Sequence, residues 1–150
     1  MILCLTFGGG CTKSRTASRE PGSKPAVLEA SIAPVVPDCR FRADGAGNLI
    51  IDLTACHALN TDSTCVVLKG SALGRPIYVT HISDQLYGAF DSRCGSGSCT
   101  LVLAAGGFLC PCDSSRFKLS GEVIQGPASK PLTEFRCLKN GNLIRVSLSR

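Results

Sequence analysis

The chain has 150 residues, a formal charge of +5, ten cysteines, 16 glycines, 8 prolines and no tryptophan. That length holds one domain and a tail, and no run of about twenty apolar residues offers a transmembrane helix. The basic residues are scattered without interleaved aromatics, which argues against nucleic acid as a partner. Ten cysteines exceed ordinary cytosolic usage and point to an oxidising compartment, a metal site or both.

In chain order, "MILCLTFGGGC" is a short apolar run of small residues ending in cysteine. It resembles the end of a bacterial lipoprotein signal, with Cys11 as the lipid-bearing residue and Cys4 inside the signal. Its positive n-region is missing and Gly8 stands where Leu is preferred; a start codon placed inside the signal would account for both. The expectation is an exported, periplasmic or membrane-anchored protein with a signal over 1–11. Residues 12–38, rich in Ser, Ala, Pro and charge, read as a flexible tether. The domain is expected over 39–150.

Within it, "NLIIDL" after "DGAG" and "STCVVLKG" have the β-branched density of strands. "GRPIYVTHIS" and "QLYGAFDS" form an expected hairpin about Ser83-Asp84. "TLVLAAGGFLC" turns at Gly106-Gly107, "FKLSGEVI" at Ser120-Gly121, and "EFRCLKNGNLIRVSL" at Asn140-Gly141. Short strands with turn signals every eight to twelve residues predict an all-β antiparallel sandwich or barrel with almost no helix.

One stretch, "CGSGSCTLVLAAGGFLCPCDSSRFKLSGEVIQGPASKP", holds Cys94, Cys99, Cys110 and Cys112 and closes on Gly126-Pro127. It resembles the cluster-binding region of Rieske iron–sulfur proteins, which reads C-x-H-x-G-C, then C-P-C-H-G-S-x-F, then G-P-A-x-x-P. The resemblance extends more weakly from about Asn48 to the C-terminus. It implies a β base with a small two-loop cluster-binding subdomain, and an electron-transfer protein carrying a [2Fe-2S] cluster. Cys94 and Cys110 match the thiolate ligands, and Cys99 and Cys112 match the loop-linking disulfide. Ser115 matches the serine that hydrogen-bonds a cluster sulfur. The implied partner is a redox protein or a quinol-oxidising complex, with a membrane reached only through a lipid anchor.

The ligand set departs from that pattern. A Rieske cluster takes two cysteines on one iron and two histidines on the other, and here the histidine positions are Ser96 and Asp113. Oxygen donors are harder than imidazole and suit the cluster less well. His57 and His81, the chain's two histidines, read as loop and strand side chains. Without iron, Cys94 and Cys110 are positioned to close on each other. Thiolates on one tetrahedral metal sit on the order of 3.7 Å apart, and a small rotamer change reaches the roughly 2.05 Å of a disulfide. Cys99 and Cys112 staple two loops with few apolar residues, a link worth about 3 kcal/mol. Phe117 is expected as a core anchor beneath the loops. Cys39, Cys56, Cys65 and Cys137 allow three pairings, with Cys65 and Cys137 also readable as buried strand thiols. No catalytic constellation is present. Two functions stand: an electron carrier, or a disulfide-stapled binding or assembly scaffold built on the same fold.

Overall fold

The computed structural model describes residues 39–149 apart from Ser96 and Ser98. The expected signal, the tether and Cys11 therefore lie outside the described residues. Eleven strands make up the domain: β1 (Phe41–Ala43), β2 (Asn48–Asp52), β3 (Thr64–Leu68), β4 (Ile77–Ser83), β5 (Leu86–Asp91), β6 (Val102–Ala104), β7 (Gly107–Leu109), β8 (Arg116–Lys118), β9 (Val123–Gln125), β10 (Glu134–Asn140) and β11 (Leu143–Ser147). A single 3-10 turn, His57–Asn60, is the one helical element among the described residues. No helix there is long and apolar enough to cross a membrane.

Seven strands form a curled antiparallel sheet in the order β1-β2-β11-β10-β5-β4-β3, and four form a smaller sheet, β6-β7-β8-β9. The large sheet folds over at β10, which pairs with β5 through Glu134 and Phe135 and with β11 through Arg136–Asn140. Alternation along each strand decides which layer a side chain enters. Val66, Leu68, Ile77, Val79 and Ala89 meet Leu49, Ile51, Ile144 and Val146 across the fold in the main aliphatic core. Cys65, Tyr78 and Phe90 point the other way, to Leu101, Phe108, Phe117, Leu119 and Leu132 of the small lobe. Strands β3 to β5 are thus covered on both faces, which is why "IYVTH" is buried at five consecutive positions.

The lobe leaves after β5 and returns to β10 beside it, as Asp91 N–H donates to Thr133 O at 2.9 Å. Two further bonds fasten it. Tyr78 Oη donates to Leu101 O at 2.6 Å and Thr80 Oγ1 to Leu119 O at 3.1 Å.

The turns sit slightly away from their expected places. Register pairs Asn140 with Leu143, so Gly141 and Asn142 occupy the tip. Gly141 has φ +57, and a glycine first in the tip is what a type II′ turn needs. The β4–β5 turn falls on Asp84-Gln85 rather than Ser83-Asp84, and the β6–β7 turn on Ala105-Gly106 rather than Gly106-Gly107. Gly107 is already in β7, where a Cβ would lie 1.9 Å from Phe117 O.

Candidate functional site at the tip of the small lobe

Two loops meet at the outer end of the lobe. The first is closed by Arg93 pairing with Thr100 and by Cys94 N–H donating to Cys99 O at 2.8 Å. The second is a tight turn in which Cys110 N–H donates to Ser115 O at 2.8 Å and Ser114 N–H to Cys110 O at 2.9 Å. Asp113 Oδ1 accepts the Ser115 N–H at 2.9 Å, the side-chain-to-backbone closure that suits aspartate to such turns.

Two disulfides join the loops. Cys94 is bonded to Cys110 with Cα atoms 5.8 Å apart, and Cys99 to Cys112 with Cα atoms 6.2 Å apart. The inner pair is buried among Tyr78, Phe108 and Phe117, whereas Cys112 is exposed and Cys99 half-exposed. A third loop, Gly126–Pro131, packs behind the second. Ala128 N–H donates to the buried Ser115 Oγ at 3.1 Å. A Cβ on Gly126, which has φ +110, would lie 2.5 Å from Ser115 Cα, so only glycine permits that approach. Gly95, Asp113, Pro127, Ala128, Ser129 and Lys130 line an open cleft of about 260 Å³ between the loops.

The structure therefore brings together Cys94, Cys110, Cys99, Cys112, Asp113 and Ser115; Ser96 lies outside the described residues. Phe117 is the expected buried anchor. The histidines are elsewhere. His57 is exposed on the 3-10 turn, and His81 is buried in β4, stacked on Tyr87 with ring centroids 4.3 Å apart. His81 Nε2 lies 2.9 Å from Asp84 O and 3.3 Å from Asp62 Oδ1. Among the described residues no three His, Cys, Asp or Glu side chains are gathered to hold a metal ion. Among the described residues the remaining cysteines are a Cys39–Cys56 disulfide and the thiols of Cys65 and Cys137, which pair with no described cysteine. Burial pushes the Cys137 thiol up to about 12, with Glu134 adding to the effect, and burial likewise raises Cys65; both are neutral and inert at pH 7.

The Rieske [2Fe-2S] domain family matches residues 54–136. The chain belongs to that family. It is 31% identical over 90 residues to the cytochrome b6-f complex iron-sulfur subunit of Chlorobaculum thiosulfatiphilum, covering 59% of this chain and 42% of the relative; it thus spans about two fifths of that relative's length. Among solved structures, it resembles the plasma membrane Rieske protein PetC3 from Synechocystis PCC 6803 at 28% identity and a TM-score of 0.47, covering 54% of this chain and 85% of that one. It also resembles a chain from a complex of reduced oxygenase and oxidized ferredoxin in carbazole 1,9a-dioxygenase, at 17% identity and a TM-score of 0.51, covering 69% and 94%. That last likeness speaks for the fold.

Sequence reading found the four lobe cysteines through the family motif. It missed the Arg75–Asp91 pair at the lobe's root, because nothing in "GRPIYV" or "AFDSRC" marks two side chains sixteen residues apart as partners.

Proposed function

We propose that this Rieske domain works without a [2Fe-2S] cluster, as a disulfide-stapled binding unit within a redox assembly. The observation that carries the reading is the state of the donor set. Cys94 and Cys110, the sulfur half of a Rieske site, are bonded to each other, and Asp113 spends a carboxylate oxygen on its own turn. No imidazole stands at either histidine position. The residues do not fit a cluster that needs two thiolates and two imidazoles. What remains is a rigid two-loop tip, fastened twice by sulfur and once by the Ser115–Ala128 bond, and rigid loops on a β scaffold are suited to binding. The family's membership in redox systems makes a redox protein or quinol-oxidising complex the partner class. A lipid on Cys11 would hold the domain at a membrane outside the cytosol.

A specific observation favours the electron-carrier reading as the alternative. The chain belongs to the Rieske [2Fe-2S] domain family, and Cys94 and Cys110 stand side by side at the positions that match its thiolate ligands. Iron and acid-labile sulfide analysis with a visible spectrum decides between the two. A colourless protein without iron, with Cys94–Cys110 and Cys99–Cys112 recovered by non-reducing peptide mapping, is the expected result. A red-brown protein with two irons per chain, lost on Cys94→Ala, overturns the binding-unit reading.

A further inference from the structure

On the opposite side of the domain, four strands carry their outward residues in one register. Arg42 faces Ile50, Ile50 faces Arg145, and Arg145 faces Leu138, so β1, β2, β11 and β10 present arginine and aliphatic side chains in alternation. The next row holds Leu143 beside Asp52, with Arg40 at its outer edge, and Arg136 lies beyond the first row on β10. The inward positions of the same strands, Leu49, Ile51, Ile144 and Val146, fill the main core, so these residues are committed to the outer face. Leu138 is 50% exposed, Leu143 37% and the Arg145 side chain 57%. A shallow depression of about 210 Å³ opens between Arg40, Arg42, Ile50, Asp52 and Leu143.

We propose that this face docks a protein surface bearing carboxylates among aliphatic side chains. The choice of cation is the first reason. Four of the seven described arginines lie here and none of the four described lysines does; Lys139, also on β10, is turned the other way over the Tyr87 ring. Arginine offers a fixed fork that pairs carboxylates bidentately, and interfaces enrich it while depleting lysine. Charge is the second reason. Asp44 and Asp52 lie beside the rows, and Glu134 stands two residues before Arg136 on β10; both Asp44 oxygens accept from Ala46 and Asn48, and Asp52 Oδ1 accepts from Thr54. Four arginines against these acids leave the face net positive, and among the described residues only Arg145 of the four comes within 4 Å of a carboxylate, Asp44 at 3.6 Å.

A second copy of the same face would meet it with like charge. A phosphate-studded membrane would bring no donor to Asp52 Oδ2 inside the depression, which a protein can answer with a hydroxyl or amide. Four strands about 4.8 Å apart give a face of roughly 15–20 Å, the scale of a transient encounter. The inference rests on the binding-unit reading for its biological sense, but the two fail separately: iron analysis tests that reading, and variants of this face test this one.

The experiment is a ¹H–¹⁵N titration of the full chain with two synthetic peptides of equal length and charge, (Glu-Val)5 and (Glu-Ser)5. The expected result is a set of shifts centred on Arg42, Ile50, Leu138 and Arg145, stronger for the Glu-Val peptide. Affinity should fall about tenfold in R42E/R145E, by like-charge placement, and about threefold in R42K/R145K, where the charge stays but the fork is lost. Circular dichroism should report unchanged folding in both variants. Shifts that instead follow Lys69, Lys118 and Lys130, or R42K/R145K binding as well as the parent, would reduce the face to generic electrostatics and overturn the proposal. So would vesicles of phosphatidylglycerol binding through these residues better than the peptide. A dimer in sedimentation that R42E/R145E dissolves, or nuclear Overhauser contacts from residues 1–38 to Ile50 and Leu143, would give the face another occupant and also overturn it.

Discussion

In the base, aliphatic side chains from β2, β3, β4 and β11 interdigitate across two layers, and strands of five to seven residues supply them. In the lobe every strand is three residues long, and its own buried side chains must share Tyr78 and Phe90 with the base to make a core at all. Burial is roughly proportional to the apolar area removed from water, so four three-residue strands cannot hold two loops by packing alone. Two disulfides make up the difference. A region built this way keeps its shape through cross-links and a few close contacts, and the base keeps its shape through volume.

The largest break in that contrast is at the ring the two regions share. Phe90 lies with its centroid 6.0 Å from that of Phe108, edge on, and Gly121 lies so close that a Cβ there would stand 2.5 Å from the ring. Phe90→Ala is expected to cost about 4 kcal/mol, read as a lower urea midpoint, with the lobe's amides exchanging at least as freely as those of the base. A variant that loosened only the base would show that the lobe stands without it.

Next is the staple itself. Replacing Cys99 and Cys112 together by serine removes a constraint worth about 3 kcal/mol for a loop of this length. Hydrogen exchange should speed up across 94–131 while β2, β4 and β11 keep their protection. Equal loss of protection in both regions would erase the distinction between cross-linked lobe and packed base.

The same distinction explains how much could be read from the residues. Val, Ile and Leu density and the glycine turns were enough for the long strands and the all-β class, because those strands answer to burial and alternation. β1 escaped notice because Phe41–Ala43 is three residues long with Arg42 at its centre, and its status depends on pairing with β2. The turn tips were off by a residue because side-chain alternation fixes which face a residue takes and not where the chain reverses. The four lobe cysteines were legible through a motif whose spacing is local. The Cys39–Cys56 pair was not, since it needs β1 laid against β2 before Cys39 comes within 4.9 Å, Cα to Cα, of Cys56. The arginine face was invisible for the same reason: it exists only across the register of four strands.

A smaller effect tests the third loop. Gly126→Ala puts a Cβ 2.5 Å from Ser115 Cα at φ +110, and strain of that kind costs about 2 kcal/mol. Because Ser115 Oγ accepts the Ala128 N–H, the loss should concentrate in Ser115 and Ala128 exchange, with the disulfides still formed. An unchanged melting temperature would mean that the third loop yields to the added Cβ and does not hold the Ser115 turn in place.

The smallest effect lies at the lobe's root and is a matter of pH. Asp91 ends β5, is almost fully buried, and receives Arg75 Nε and Nη2 at 2.7–2.9 Å as well as the Arg93 N–H at 3.1 Å. Burial alone would raise its pKa, but the Arg75 hydrogen bonds, the Arg93 N–H and both guanidinium charges together outweigh that and hold it below the ordinary carboxylate value. The folded pKa is therefore lower than the unfolded one, near about 3.9. Its stabilisation is complete above that unfolded value and disappears as pH falls through the folded one. With Arg75 partly open to solvent, about 1 kcal/mol is the scale to expect. Melting curves from pH 7 to pH 2 should show this loss only at the acid end. In Arg75→Met the carboxylate keeps its burial and loses its main partner, so the loss should begin at higher pH. Since Asp91 N–H also donates to Thr133 O where the lobe rejoins the sheet, acid should free the lobe's amides before those of the base. Coincident profiles for the parent and Arg75→Met would show that the pair does not secure the junction, leaving the shared aromatic core and the hydroxyl bonds of Tyr78 and Thr80 to hold lobe to base.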